Sequence, residues 1–170
     1  MKQLNELKWK AFDLCEVFSI SAGVRLTKSD MVEGARPFIG ATDSNNGITA
    51  FVSDSNPSLD SNVLGVNYYG SVVESFYHPY ECIFSDDVKR FHLKQHNDNA
   101  YVLLFMKTAI LMQKQKFGYL YKFNAERMSH TSIMLPVNDS GNPDYLLMEA
   151  IGKMIFMKKY ACYLSHVNGR

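Results

Sequence analysis

Between Ile48 and Leu93 the chain carries five apolar runs of a few residues each, and each stops at Gly, Pro, Asn or Ser. Runs this short, rich in Val, Ile, Tyr and Phe and punctuated by turn formers, specify strands and not helices, so this part must build a β-rich body. The spacing predicts strands at 48–52, 63–68, 72–77, 82–85 and 90–93. Upstream, residues 36–39 add a strand that stops at Gly40. Residues 7–20 read as a strand-like entry anchored by Trp9, Phe12, Leu14, Val17, Phe18 and Ile20. Residues 25–33, with Thr27, Ser29 and Asp30, carry turn and cap chemistry for a loop or short helical turn.

At Asn97 the period changes. Asn97 or Asp98 supplies a cap, Tyr101, Leu104, Phe105, Thr108, Leu111 and Met112 recur at helical spacing, and Gly118 stands just past the end. A helix is expected over 97–116, with Lys114 and Lys116 placed where the helix dipole favours cations. Residues 119–123 and 133–137 read as closing strands. Asn142 followed by Pro143 is a cap and first-turn proline for a last helix to about Leu164, with Leu147, Met148, Ile151, Met154, Ile155 and Cys162 on one side. The fold class expected is α+β: a β-rich body with one internal helix and a long amphipathic C-terminal helix.

A length of 170 residues with 46% hydrophobic content suits one buried core. Lys107 interrupts the strongest apolar run and the N-terminus lacks a signal-peptide core, so a cytoplasmic protein with no membrane span is expected. Cys15, Cys82 and Cys162 are odd in number and scattered, which fits reduced core residues better than a disulfide framework. His92 and His96 have the spacing of helical metal ligands but lie in a polar link without a third ligand, and neither metal nor cofactor is expected.

A net charge of +1 conceals a polarised chain. Residues 28–87 hold Lys28 and Arg36 against nine carboxylates, whereas residues 88–130 hold eight Lys and Arg against Asp98 and Glu126. A one-sided basic surface suits a polyanionic partner. Mutual pairing of the two stretches in three dimensions accounts for the same pattern.

The stretch from Lys116 to Leu147 mixes tyrosines with Lys116, Lys122 and Arg127 and with amide and hydroxyl groups. Cations neutralise phosphates, and Arg, Asn, Ser and Thr match base edges. Alternating Tyr119, Tyr121 and Phe123 equally describe a half-buried strand. Residues 41–47 form a second amide- and hydroxyl-rich segment, in which Asn46-Gly47 signals a type I′ hairpin. Thr42, Ser44, Asn45 and Asn46 stand there either as turn chemistry or as a loop that reaches bases and phosphates.

The segment GYLYKFNAERMSHTSIMLPVNDSGNPDYLLMEAIGKMI is similar to the end of a target-recognition domain from the specificity subunit of type I restriction-modification systems. There a last strand reaches an I-x-L-P motif and enters a long helix. WKAFDLCEVFSISAGVRLTKSDMVEGARPFIGATDSNNGITAFV resembles that family's opening, and NVLGVNYYGSVVESFYHPYECIFSDDV its central hairpin. The three matches span nearly the whole chain in order. The resemblance implies a DNA target-recognition domain over 1–142 and a connector helix over 143–170. It implies double-stranded DNA, a DNA methyltransferase (modification) subunit and a restriction/translocase subunit as partners, with adenine methylation and restriction carried out by those subunits.

On that reading Lys89, Arg90, Lys107, Lys116, Lys122 and Arg127 supply phosphate contacts, and Arg25, Lys28, Tyr119 and His130 join the loop residues at the DNA. Leu147, Ile151, Met154 and Ile155 form a partner seam, through which two copies pair as a homodimer if no second recognition domain is present. Catalysis is not expected. Asn142-Pro143-Asp144-Tyr145 lacks the second proline of an amino-methyltransferase motif, Glu149 and Lys153 after Pro143-Asp144 do not have the Glu-x-Lys spacing of a nuclease, and no Gly-x-Ser-x-Gly elbow occurs. The alternative is a non-catalytic orphan or decoy module that engages the methyltransferase without reading DNA.

Overall fold

The computed structural model describes residues 6–118 and 121–168. Strand β1 (Trp9–Asp13) leads into a single helical turn, α1 (Leu14–Val17), and then into β2 (Phe18–Ala22). Asp13 and Glu16 cap that turn reciprocally, which is why the predicted continuous entry breaks into two strands. Strands β3 (Glu33–Ile39), β4 (Ile48–Val52), β5 (Val63–Asn67), β6 (Ser75–His78), β7 (Ile83–Phe84) and β8 (Val88–Leu93) follow. Helix α2 (Ala100–Leu111), the short helix α3 (Ala125–Ser129), strand β9 (Ser132–Pro136) and helix α4 (Tyr145–Asn168) complete the chain.

Three sheets result. β1 pairs with β9, β2-β8-β5-β6 form an antiparallel sheet, and β3 lies between β4 and β7. The β1–β9 ladder runs antiparallel with Phe12 opposite Ile133, so the first strand closes on the strand that precedes α4. Helix α2 packs on β6 and β5, burying Val102, Leu103, Met106, Ala109 and Ile110. The face expected inside was the other one, and Leu104 (41% exposed) and Met112 (76%) lie outward. Because α2 is apolar almost all round, spacing could not choose its face; the sheet did. Asn99 caps it by accepting from the N–H groups of Tyr101 and Val102.

Other boundaries moved for local reasons. The strand expected over 72–77 begins only at Ser75, because Val73 takes φ +67° inside a turn where its N–H donates to the Asn67 carbonyl. A buried β-branched residue in that region is strained by about 1 kcal/mol or more. Residues 121–123 form no strand; Asn124 caps α3 instead, its side chain accepting from the Arg127 N–H. The last helix begins at Tyr145 and not at Pro143, since Asp144 accepts from the Leu147 N–H at 3.0 Å while Pro143 bridges back to Val137.

Of the cysteines only Cys82 is fully buried, its thiol pushed up to about 12 mainly by burial; Cys162 is exposed, against the expectation of a core residue. The two histidines with metal-like spacing diverge. His96 stacks on Tyr145 with ring centroids 4.9 Å apart, and His92 sits between two carboxylates, Nδ1 2.7 Å from Asp98 and Nε2 3.0 Å from Asp60.

Those carboxylates raise His92 to about 9, the hydrogen bond to Asp98 contributing most. A folded-state value above the unfolded one near 6.5 gives stability that is complete below about pH 6.5 and lost as pH rises through about 9. Thermal melts should therefore fall between pH 7 and 9.5, and His92→Gln should flatten that limb, removing about 2 kcal/mol at pH 6.5 once solvent screening is allowed for. An unchanged slope in the variant would remove His92 from the explanation.

Candidate nucleic-acid interface

The segment 41–47 is held rather than loose. The carbonyl of Ser44 accepts from the Gly47 N–H at 2.9 Å across Asn45 (φ +49°) and Asn46 (φ +54°), a left-handed turn centred one residue earlier than the Asn46-Gly47 signal suggested. Asn tolerates this region because its short side chain bonds locally. Asn46 Nδ2 donates to Tyr80 Oη at 3.0 Å, and Tyr80 lies 3.3 Å from His78 Nδ1. His78 is fully buried and lowered to about 4, chiefly by burial. Asn46 is thus largely an anchor, while Asp43, Ser44 and Asn45 stand at the exposed tip.

A second turn, residues 67–74, is clamped to the first. Asn67, 1% exposed, donates through Nδ2 to the Thr42 carbonyl at 2.8 Å, and the Ser71 N–H approaches the Ala41 carbonyl at 3.5 Å. Gly70, at φ +61°, lies so close that a Cβ there would stand 2.5 Å from the Ala41 oxygen, so only glycine permits the contact. The Tyr68 and Tyr69 N–H groups both point to the Asp87 carbonyl.

Cations then lie over these rings. Lys89 Nζ is 4.7 Å from the Tyr68 centroid, Lys122 Nζ 3.9 Å from Tyr69, and the Arg127 guanidinium carbon 3.8 Å from Tyr121. Arg25, Lys89 and Lys122 all act on Asp87, whose carboxyl is nonetheless raised, mainly by burial. Burial lowers Lys89, while Asp86 and Asp87 oppose that shift. A surface groove of about 420 Å³ runs between β2 and α3 beside this face, with Lys89 and Lys94 on its rim. Fixed turns and cations seated on tyrosine rings in one contiguous region suit a polyanionic partner.

The structure sorts the expected residues. Thr42, Ser44, Asn45, Asn46, Lys89, Lys122 and Arg127 come together. Arg25 is exposed beside this region and pairs with Asp86 at 3.8 Å; Lys28, on the same loop, is exposed, and so is His130 at the end of α3. Lys107 lies 4.9 Å above Phe76, whose ring also borders Gly47, so it flanks the turn from the α2 side. Lys116 is exposed on the turn after α2. Tyr119 lies outside the described residues.

Arg90 is a correction. Its side chain is 13% exposed, bonded to Asp60 at 3.0 Å and to the Ala22 carbonyl at 3.0 Å, and it braces the sheet instead of facing a phosphate. Lys114 likewise pairs with Glu74. Part of the polarised charge is therefore consumed internally. Sequence reasoning missed Tyr68, Tyr69 and Tyr121 as ring partners of the cations; a tyrosine pair in a glycine turn was the available signal.

The profile of the type I restriction modification DNA specificity domain matches residues 6–159. The chain belongs to that family. The specificity subunit S.BcgI of the type II restriction enzyme BgcI from Heyndrickxia coagulans is 60% identical over 149 residues, 88% of this chain and 44% of that protein. The type I restriction-modification S subunit of M. genitalium superposes with TM-score 0.68 at 14% identity over 99% of this chain and 44% of its own. The HsdS subunit of Thermoanaerobacter tengcongensis superposes with TM-score 0.60 at 13% identity, covering 94% and 39%. The chain thus spans less than half the length of these relatives, and it shares the α+β specificity-subunit fold, long C-terminal helix included.

Within this specificity domain α4 divides in two. Tyr145, Met148 and Ile151 are buried against the body, and at Gly152 the helix crosses α2 so closely that a Cβ would lie 2.8 Å from the Tyr101 oxygen. Ile151, 5% exposed, is therefore core and not seam, and Leu147 is half-buried. From Lys153 onward every described residue is exposed, including Met154, Ile155, Phe156, Tyr160 and Tyr163. No helix among the described residues is long and apolar enough to cross a membrane.

Proposed function

We propose that this specificity domain reads one half of a bipartite duplex DNA target, in the cytoplasm, and directs methylation and restriction by partner subunits without catalysis of its own. The observation that carries the reading is the continuous face in which the clamped turns 41–47 and 67–74 meet Lys89, Lys122 and Arg127 over tyrosine rings. Residues 1–142 act as the reader and residues 143–170 as the connector.

A half-site of a few base pairs, at roughly 1–3 kcal/mol of discrimination each, is too little against a genome, so a second reader is required. It comes from the further length that the relatives carry or from a second copy. The uncovered half of α4 supports docking of another helix, since Met154, Ile155, Phe156, Met157, Tyr160 and Tyr163 stand exposed there between Lys153, Lys158 and Lys159. Met154 and Ile155 remain in that proposed seam and are joined by Phe156; the methyltransferase subunit is the expected neighbour.

A base-resolved methylation map of cells carrying the intact system should return an interrupted motif, and Ile155→Lys with Phe156→Lys should abolish methylation while leaving the melting temperature unchanged. A purified complex that retains its methyltransferase but binds all duplexes equally would defeat the reading in favour of a partner-binding module.

A further inference from the structure

Four arginines are described, and three of them meet carboxylates: Arg25 with Asp86, Arg36 with Glu81 and Arg90 with Asp60. Arg127 has a different environment. Its guanidinium carbon lies 3.8 Å from the Tyr121 ring centroid, and Nη1 donates to the Lys122 carbonyl at 2.8 Å. No carboxylate pairs with it among the described residues. The ring fixes the height of the guanidinium plane, and the carbonyl fixes its rotation.

A flexible ammonium neutralises phosphate as a point charge, whereas a restrained guanidinium suits two-pronged recognition, of a phosphate or of a base edge. A guanidinium that recognises a base edge gains from the restraint, since two parallel N–H bonds demand a fixed plane and most of the side-chain entropy is already lost before binding. Arg127 presents five N–H donors, of which the Lys122 carbonyl takes one. Its ring partner Tyr121 is 52% exposed, so the pair stands at the surface. The neighbouring Lys122–Tyr69 pair joins it to the turns that carry Ser44 and Asn45.

We infer that Arg127 is a base-reading residue, its guanidinium held by Tyr121 and the Lys122 carbonyl to bond a guanine at O6 and N7 in the major groove. Guanine is the base that offers two acceptors side by side there; adenine offers a donor beside N7 and would leave one arginine N–H opposed. The inference rests on the DNA-reading function proposed above and sharpens it, changing Arg127 from a phosphate contact to a determinant of sequence.

The test uses the assembled complex and duplexes carrying its mapped motif, with each guanine replaced in turn by 7-deazaguanine, which lacks the N7 acceptor. With the unaltered protein, one guanine should prove sensitive, the substitution weakening binding roughly ten- to a hundred-fold. With Arg127→Ala that guanine should become indifferent to base and to 7-deaza substitution, while discrimination elsewhere in the motif persists. Arg127→Lys should keep the salt dependence of binding and, because an ammonium also reaches O6 and N7, part of the guanine preference that Arg127→Ala loses. The inference is overturned if no guanine in this half-site is sensitive in the unaltered complex. It is equally overturned if Arg127→Ala weakens all sequences alike and lowers the salt slope by about 0.9. A complex with no preferred motif at all would instead overturn the DNA-reading function beneath it.

Discussion

Phe91→Ala is expected to lower the unfolding free energy by about 3–5 kcal/mol, a large share of what a domain of this size possesses. Phe91 is fully buried on β8, between β2 and β5, and stands opposite Ile20 on one side and Leu64 on the other. Its ring tilts against Phe18 at 5.2 Å, so one side chain ties both flanking strands to the main core. Removing it leaves a cavity that strands locked in register cannot collapse into. Phe51→Ala, on the exposed side of β4 at 55% exposure, should change stability by no more than about 0.5 kcal/mol. Urea denaturation compares the two, and a decrease below 1 kcal/mol at Phe91 would contradict this account of the core.

Lys89→Gln combined with Lys122→Gln should weaken duplex DNA binding by about sixty-fold at 0.1 M salt and lower the log-log salt slope by about 1.8. Each phosphate that a cation neutralises releases condensed counterion with a slope near 0.9, so leaving two phosphates bare gives these figures relative to 1 M salt. Both ammonium groups flank tyrosine rings at the junction of the two clamped turns, where a backbone following the groove between β2 and α3 would pass. Arg90→Gln should leave the slope unchanged, because its charge is already matched by Asp60. If the double variant titrates with the slope of the unaltered protein, the face described here is not where phosphates bind.

The contrast between Lys89 and Arg90 shows why charge read along a chain is only half of an electrostatic argument. The two residues are adjacent and on the same strand, yet strand alternation sends one toward the tyrosine rings and the other into the Asp60–His92–Asp98 network. The acidic stretch meets the basic one in space through the ion pairs of Asp60 and Glu74 and, more loosely, through Asp86 and Asp87 near Lys89 and Lys122. Lys89, Lys122 and Arg127, gathered at one face, lie over rings and not in direct ion pairs.

From sequence alone most of the short strands, a turn within residues 41–47 (though expected one residue later, at Asn46-Gly47) and the two long helices were legible, because turn residues and apolar spacing act locally and need no tertiary partner. The ordered resemblance across the chain likewise named the family whose profile matches residues 6–159. Three things were decided only in three dimensions. An apolar α2 offered two equivalent faces, and packing on β6 and β5 chose Val102, Leu103 and Met106. Helix α4 carried one apolar stripe, but the close crossing at Gly152 divides it into a covered part ending near Ile151 and an uncovered part beyond. Long-range packing set which cations meet rings and which meet carboxylates, since Lys122 and Tyr69, or Arg90 and Asp60, are brought together by strand register and turn clamps rather than by proximity in the chain.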